Sequence, residues 1–316
     1  MSLKNDVLTM LQLKNGEYIS GQELAEKSGK SRAAVWKAVK ALQKDGYVIN
    51  AVTNKGYSLT SEGDILSGAK IKNTMKHDIS VIHYTETDST NTQAKRLLSS
   101  GEANGTLLVT AEKQTAGRGR QGKTFYSPPH TGIYMSLIVH PNTMLQNAVT
   151  ATTAAAVAVC RAIERLTDIR PQIKWVNDVY VNDKKICGIL TEAVSDFELG
   201  IVTSVIVGIG INIKTNDFPD EVERAGSLNA DIKRADLIGT VADELLDIIG
   251  GNCSDFIDYY RSHSMIIGKQ INYIENGVVT PATALSIDEA GGLVVKTENG
   301  TEKTLKSGEI SIRWQE

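Results

Sequence analysis

Within the first sixty residues the spacing of apolar side chains changes from the 3.6-residue period of a helix to the alternation of a strand. That switch restricts this part of the chain to a few small folds. Asn5 to Leu13 sets Val7, Leu8, Leu11 and Leu13 at helical spacing, and Gly16 ends the segment. Ser20-Gly-Gln-Glu23 has the form of a capping box, in which the Ser hydroxyl accepts a backbone N–H while Glu23 reaches back. The second helix it opens carries Leu24 and Ala25 inward and stops at Ser28-Gly29. Ser31 then caps a third helix whose Val35, Trp36, Val39 and Leu42 recur at core spacing, which makes Trp36 a core residue. After Gly46 the pattern alternates through Tyr47, Ile49 and Val52, turns at Thr53 to Gly56, and resumes at Tyr57 and Leu59. Two helices joined by a short glycine turn, followed by a hairpin, form a winged helix-turn-helix.

Charge separates this segment from the remainder. From Lys30 to Lys55 there are six basic residues and one acid, Asp45, a local balance of +5 in a protein of net charge -3. A basic stripe on a recognition helix is the footprint of phosphate contacts, with Ser31, Arg32 and Lys37 the candidates for groove contacts. The competing reading is a solvated face on a structural or dimerisation module. Residues 1–62 hold nine basic and six acidic side chains, so the rest of the chain carries a net -6. The two parts face different partners.

At roughly 150 residues per domain, 316 residues should hold two or three domains, with a linker over Thr60 to Lys72 where no periodicity is legible. The longest apolar stretches, near Val149 to Cys160 and Val205 to Ile213, are too short and too polar for a membrane span. The N-terminus lacks a signal-peptide pattern, and a cytoplasmic location is expected. Cys160, Cys187 and Cys253 are dispersed and odd in number, which suits a reduced compartment and predicts neither a disulfide nor a zinc site.

A buried strand over Gly105 to Ala111 leads into Gly117-Arg-Gly-Arg-Gln-Gly-Lys-Thr124. Taken literally, this run satisfies both the Walker A and the dinucleotide-binding glycine patterns. Both need a helix to start at the final Gly-Lys, and the prolines at 128 and 129 with Gly132 forbid one. What survives is a glycine backbone that can close on a ligand, with Arg118, Arg120 and Lys123 to meet carboxylate or phosphate. Without a ligand such a loop should repel itself and stay mobile. By itself it could equally be a solvated or RNA-binding segment.

Its neighbours add chemistry. Thr87 to Thr92 clusters hydroxyl and amide groups before an amphipathic helix over Ala94 to Ser99. Ile173 to Val181 reads as one alternating strand with Asn177-Asp178 embedded, followed by a turn at Asn182 to Lys185 and a return strand to Glu192. Asn and Asp are depleted in strand interiors, which marks a candidate site. Five stretches in this order carry a specific resemblance: Ser89-Thr90-Asn91, Gln114 to Gly122, Lys174 to Asp178, Lys185 to Leu190, and Gly208 to Asn212. With the N-terminal wing, and a final alternating segment from Gly268 to Arg313 turning at Asn276-Gly277 and Gly291-Gly292, the chain resembles the bifunctional biotin-protein ligases of the biotin operon repressor type.

The resemblance implies an α+β protein of three parts: a winged helix-turn-helix over residues 1–62, a central mixed-sheet biotin/lipoate ligase-like catalytic domain over 63–267, and a small SH3-like β-barrel over 268–316. It implies activation of biotin by ATP and Mg²⁺ to biotinoyl-5′-adenylate, and transfer to a lysine of a biotin carrier such as that of acetyl-CoA carboxylase. It also implies a homodimer that binds operator DNA when the adenylate is present. Ser89, Thr90, Asn91 and Gln114 would hold biotin; Arg118, Gly119 and Arg120 would close over biotin and the phosphate; Lys185 would meet the developing charge. Asn177, Asp178 and Asn212 would serve the nucleotide and metal side. No protein nucleophile is needed for this reaction, and the five histidines are dispersed. The helix from Ala151 to Leu166 reads as packing against the sheet. Phe125, Val176 and Lys123 depart from the family pattern, which often has Trp, Pro and Arg there. A biotin-sensing repressor that no longer ligates, and a lipoate-type acyltransferase, are the alternative readings.

Overall fold

The computed structural model describes residues 3–14, 16–44, 46–61, 63–140, 148–196, 201–220, 222, 224–251, 253, 255–275, 277–306 and 308–312. Asp45, Asn276 and Arg313, named above, lie outside them. The chain divides into two compact units, one up to Leu66 and one from Ser67.

The first unit is the winged helix-turn-helix. Helices α1 (Leu3–Leu13), α2 (Gly21–Ser28) and α3 (Arg32–Lys44) precede an antiparallel hairpin of β1 (Val48–Val52) and β2 (Gly56–Ser61). Val7, Leu11, Leu24, Val35, Val39, Leu42 and Ile49 form its core. Ser20 caps α2 by accepting from Glu23 N–H at 3.0 Å, and Gly29 ends it in the left-handed conformation. The box is half formed, because the Glu23 carboxylate pairs with Lys27 at 2.8 Å one turn on. Ser31 accepts from Ala34 N–H and starts α3.

Two expected core residues of this unit point outward. Leu13 is 81% exposed, because it lies about 200° round α1 from the buried Leu11. Trp36 is 52% exposed, since α3 seals its core with Val35, Ala38, Val39 and Leu42 alone, and the next position falls off that stripe.

The second unit starts with a helix where a linker was expected. Ser67 accepts from Lys70 N–H to cap α4 (Gly68–Lys72), and Ile71 is fully buried beneath it. Next come β3 (Ser80–Tyr84), α5 (Thr90–Ser99), β4 (Leu107–Ala111), β5 (Gly132–Val139), α6 (Ala148–Leu166), β6 (Gln172–Lys174), β7 (Asp178–Val181), β8 (Lys184–Asp196) and β9 (Ile201–Asn212). Helices α7 (Arg234–Ile249) and α8 (Phe256–Ser262) complete the central part. The strands form a seven-stranded mixed sheet in the order β3-β4-β5-β9-β8-β7-β6, in which β3 and β4 run parallel and the other pairs antiparallel.

Register assigns the faces. Leu190 opposes Gly208 in the β8–β9 pair, and Thr191 opposes Val207, so these two pairs look to opposite sides. Asn91 of α5 lies against Gly208, whereas Thr152 of α6 donates to Thr191 at 2.9 Å. Helix α5 therefore covers one face and α6 the other. As expected, α6 packs on the sheet, its alanines from Ala154 to Ala158 almost wholly buried.

The expected single strand from Ile173 to Val181 is a tight hairpin: β6 pairs with β7 through Lys174 and Asp178, and Trp175 to Asn177 make the turn. This removes the conflict with strand propensity, because Asn177 is not inside a strand. The following turn has Asn182 and Asp183 both at positive φ, 49° and 58°, the conformation that joins two strands with their natural twist. Strands β10 (Gln270–Glu275), β11 (Val278–Ile287), β12 (Leu293–Thr297), β13 (Glu302–Leu305) and β14 (Glu309–Ile312) form a five-stranded antiparallel sheet at the C-terminus.

Candidate active site

A cavity of about 1300 Å³ opens on the α5 face of the large sheet. Its lining includes Ser89, Thr90, Asn91, Gln114, Arg118, Gly119, Arg120, Asn177, Asp178, Lys185 and Asn212. Every site residue expected for the central domain is thus gathered in one place, from segments as far apart as residues 89 and 212. None of the five histidines lines it.

Its neutral part is built around the start of α5. Asp88 accepts from Ser89 N–H at 2.7 Å and from Arg96 at 2.9 and 2.6 Å, and the Arg96 hydrogen bond leads in holding the Asp88 carboxyl down to about 2. Ser89 is thereby fixed at the helix N-cap with its hydroxyl making no capping bond, buried at the cavity edge. The Thr90 N–H donates to Gln114 Oε1 at 2.8 Å, and Gln114 Nε2 donates to Ser127 Oγ at 2.8 Å. Ser136, buried in β5, places its hydroxyl 2.7 Å from Thr90 Oγ1 and 2.6 Å from Asn91 Oδ1. Ser127 and Ser136 were not legible as site residues; each lies in a stretch that reads as loop or core, and each reaches the site through partners distant in sequence, Gln114 for Ser127 and Thr90 and Asn91 for Ser136.

Glycines make the floor. A Cβ at Gly208 would meet Asn91 Oδ1 at 2.1 Å, and one at Gly210 would meet the Phe125 ring at 2.5 Å. The Phe125 ring also lies over Gly188, which opposes Gly210 across the β8–β9 pair. It meets Tyr134 edge to face at 6.3 Å.

The Gly-Arg loop closes as a hairpin instead of a helix N-terminus. Gly119 N–H donates to Lys123 O at 2.7 Å and Phe125 N–H to Gly117 O at 2.9 Å, while Gln121 and Gly122 turn the chain at positive φ. A side chain at Gly117 would strike Phe125 O, which accounts for glycine there. The expected self-repulsion is offset, because two of the cations have partners outside the loop: Arg118 donates to Glu192 of β8 at 3.1 Å and Arg120 to Asn177 of the β6–β7 turn at 3.2 Å. Glu192, expected only as the end of a return strand and not as a site residue, also accepts from Asn91 at 2.9 Å and Lys95 at 2.8 Å. Burial pushes the Glu192 carboxyl up, but the hydrogen bonds from Lys95 and Asn91 and the charges of Lys95 and Arg118 bring it below the usual carboxylate value.

The polar far side is less satisfied. Lys185 Nζ lies 2.7 Å from Asp178 Oδ1, yet off the direction of a hydrogen bond, so that buried oxygen has an ionic neighbour and no donor. Asn212 donates through Nδ2 to Gly226 O at 3.2 Å, and its buried Oδ1 has no donor either. Asn177 is held by two bonds to Ile189, accepting its N–H at 2.9 Å and donating to its carbonyl at 3.0 Å.

On the first unit, Ser31, Arg32, Lys37, Lys40 and Lys44 are exposed along α3. The Lys40 ammonium sits 6.0 Å from the Trp36 ring centre, and that of Lys55 sits 6.0 Å from that of Tyr18. The face is therefore basic with aromatic rings set among the charges.

Comparison with known proteins agrees part by part. Residues 84–212 match the Biotin/lipoate A/B protein ligase family, residues 4–58 an HTH domain, and residues 266–313 the biotin protein ligase C terminal domain. The chain is 36% identical to the bifunctional ligase/repressor BirA of Bacillus subtilis, over 98% of this chain and 99% of that one. It is 27% identical to BirA of Escherichia coli over 95% of each. The biotin protein ligase of Aquifex aeolicus in complex with biotin and ATP has the same fold, with a TM-score of 0.62, 28% identity, and coverage of 74% of this chain and 99% of that one. Among the described residues, no helix is long and apolar enough to cross a membrane.

Proposed function

The chain belongs to the biotin-protein ligase family in its bifunctional ligase/repressor branch, and on that premise we propose that it activates biotin with ATP, acylates a carrier lysine and represses transcription. One observation carries the enzymatic half. Buried polar atoms are seldom left without hydrogen-bond partners, and among the described residues three side-chain atoms are; two of them, Asp178 Oδ1, which has the Lys185 ammonium as an ionic neighbour, and Asn212 Oδ1, belong to residues lining this cavity. Such atoms suit a ligand that brings donors or a cation.

In this reading the biotin carboxylate attacks the α-phosphorus of ATP and pyrophosphate leaves. The carrier lysine amine then attacks the acyl carbon, and AMP leaves. Ser89, Thr90, Asn91 and Gln114 satisfy the ureido head, a polar group that otherwise costs about 1–3 kcal/mol to bury. Arg118, Gly119 and Arg120 close over biotin and the phosphate. Lys185 neutralises the charge that develops as two anions meet, a role in which a positioned cation acts more strongly than in water. Asn212 accepts from the nucleotide base, and Asn177 and Asp178 serve the phosphate side.

Mg²⁺ fits this donor set. Among the described residues no three His, Cys, Asp or Glu side chains cluster. Mg²⁺ commonly needs one or two carboxylates beside substrate phosphates, and among the described residues of the lining Asp178 offers the one carboxylate, its Oδ1 accepting no hydrogen bond. Bound with the nucleotide, the ion would offset phosphate charge.

For the regulatory half, a single wing-bearing unit makes few phosphate contacts, so specific binding needs two copies on a palindromic operator. Ordering of the Gly117 to Gly122 loop by the adenylate lowers the entropic cost of dimerisation, and abundant carrier in the cytoplasm would consume the adenylate and release the dimer.

The test incubates the chain with biotin, Mg-ATP and an apo-carrier and reads the carrier's mass. A biotinylated carrier is expected; none, with a ligase of known activity succeeding alongside, would leave only the sensor reading. Sedimentation and gel-shift measurements with and without biotin and ATP test the coupling, which ligand-independent operator binding would refute. A chain lacking residues 1–66 should ligate and not bind DNA.

A further inference from the structure

Trp36 is the one aromatic side chain of α3, and the winged unit leaves it 52% exposed although Val35, Val39 and Leu42 of the same helix are at most 1% exposed. Solvating so large an apolar ring is unfavourable, and its surroundings say what would cover it. Arg32 and Lys40 stand one turn before and one turn after it, Lys37 beside it, and Lys40 Nζ lies 6.0 Å from the ring centre. An apolar protein surface would have to strip water from these cations. A polyanion that also presents apolar groups would not. The major groove of DNA is such a surface: it admits an α-helix and displays the C5-methyl of each thymine between two rows of phosphates.

The position along the helix agrees. Residues at the start of a recognition helix reach base edges, and Trp36 lies only about 6 Å along the axis from Arg32, at 1.5 Å per residue. Arg32, Lys37 and Lys40 are placed to hold the phosphates on either side while the ring faces the groove floor. We propose that Trp36 reads operator sequence by apolar contact with a thymine methyl, as a specificity-determining residue distinct from the phosphate-binding lysines. This rests on the reading of the first unit as a DNA-binding module.

The full chain, with biotin and ATP present, selects its duplex from a random-sequence pool, and the winning duplex is then remade with single thymines replaced by deoxyuridine, which removes the methyl alone. The wild type should lose about three- to tenfold in affinity at one symmetry-related thymine per half-site. Trp36→Ala should bind the parent duplex about tenfold more weakly, ignore that replacement, and keep the dependence of log affinity on log salt. Trp36→Phe should keep much of the methyl sensitivity. Lys40→Ala should do the reverse of Trp36→Ala: methyl sensitivity intact, salt slope reduced by about one. Because Trp36 lies outside the core, the variants should melt with the wild type. A Trp36→Ala chain that stays sensitive to the methyl, or that loses affinity equally for selected and random duplexes, overturns the proposal while leaving DNA binding standing. A wild type that enriches no sequence and shows no salt-dependent binding overturns the DNA-binding reading, and this inference with it.

Discussion

Arg118 donates to Oε2 of Glu192 at 3.1 Å, and the same oxygen accepts from Asn91 at 2.9 Å, so one carboxylate joins the Gly-Arg loop to the floor of the cavity. Arg118 is 44% exposed, which leaves it able to exchange Glu192 for an anionic ligand. In the proposed role that cation serves mainly to retain what lies beneath the loop. Arg118→Ala should therefore shorten the lifetime of bound biotinoyl-adenylate by about tenfold or more, as a lost charge-assisted hydrogen bond implies. The check is a chase of radiolabelled adenylate from the isolated complex. An unchanged release rate removes this role.

Lys185→Ala should slow single-turnover adenylation about a hundredfold while changing biotin affinity by a few-fold at most, because in the proposed role its charge acts on a group that becomes more anionic in the transition state. Its partner Asp178 would then stand without an ionic neighbour 2.7 Å away. A loss of biotin affinity as large as the loss in single-turnover rate would refute this role.

Ser136 is fully buried and has Thr90 and Asn91 within hydrogen-bond reach. Ser136→Ala leaves a buried acceptor short of a donor and should lower stability by about 1–3 kcal/mol in urea unfolding. Biotin affinity should fall as well, since both partners line the cavity. Loss of stability with unchanged biotin affinity would make Ser136 a core residue only.

Glu112 at the end of β4 accepts from the buried Arg234 at 2.5 and 3.3 Å and from His130 N–H at 2.8 Å. Burial raises its carboxyl, but Arg234 and His130 outweigh that and hold it below the usual value. A carboxylate depressed in the folded state contributes stability above its unfolded value, near pH 4.3, and loses it as pH falls through the folded value. Glu112→Gln should thus cost about 3–5 kcal/mol at pH 7, as breaking a buried pair does, with the gap to wild type narrowing below about pH 4.3. Unfolding midpoints across pH 3 to 7 decide this; a gap that does not narrow refutes it.

What could be read in the sequence follows how local each cause is. Ser31 and Gly29 announce the helices of the first unit through their neighbours three residues away. The prolines at 128 and 129 rightly ruled out a phosphate-binding helix, because that constraint is local too. Trp36 misled, since a residue one position off the core stripe keeps a plausible period, and only the width of the seam against α1 and α2 decides its exposure. Trp175 to Asn177 misled in the other way: alternation continues through the turn while the backbone reverses. Glu192 and Ser136 gave no signal, because their roles arise from Asn91, Arg118 and Thr90, 45 to 101 positions away.

The glycines under the cavity bear on any attempt to raise the thermal stability of this protein. Gly188, Gly208 and Gly210 sit inside the two longest strands of the sheet, where glycine is a poor strand former and a β-branched residue would ordinarily be favoured. Propensity-guided engineering would choose these positions early. At Gly208 and Gly210 even one added methyl group meets Asn91 or Phe125 at clashing distance, so the gain in strand preference would be set against displacement of the groups that shape the cavity. Heat resistance in this protein is better sought in the outer strand β3, none of whose residues lines the cavity.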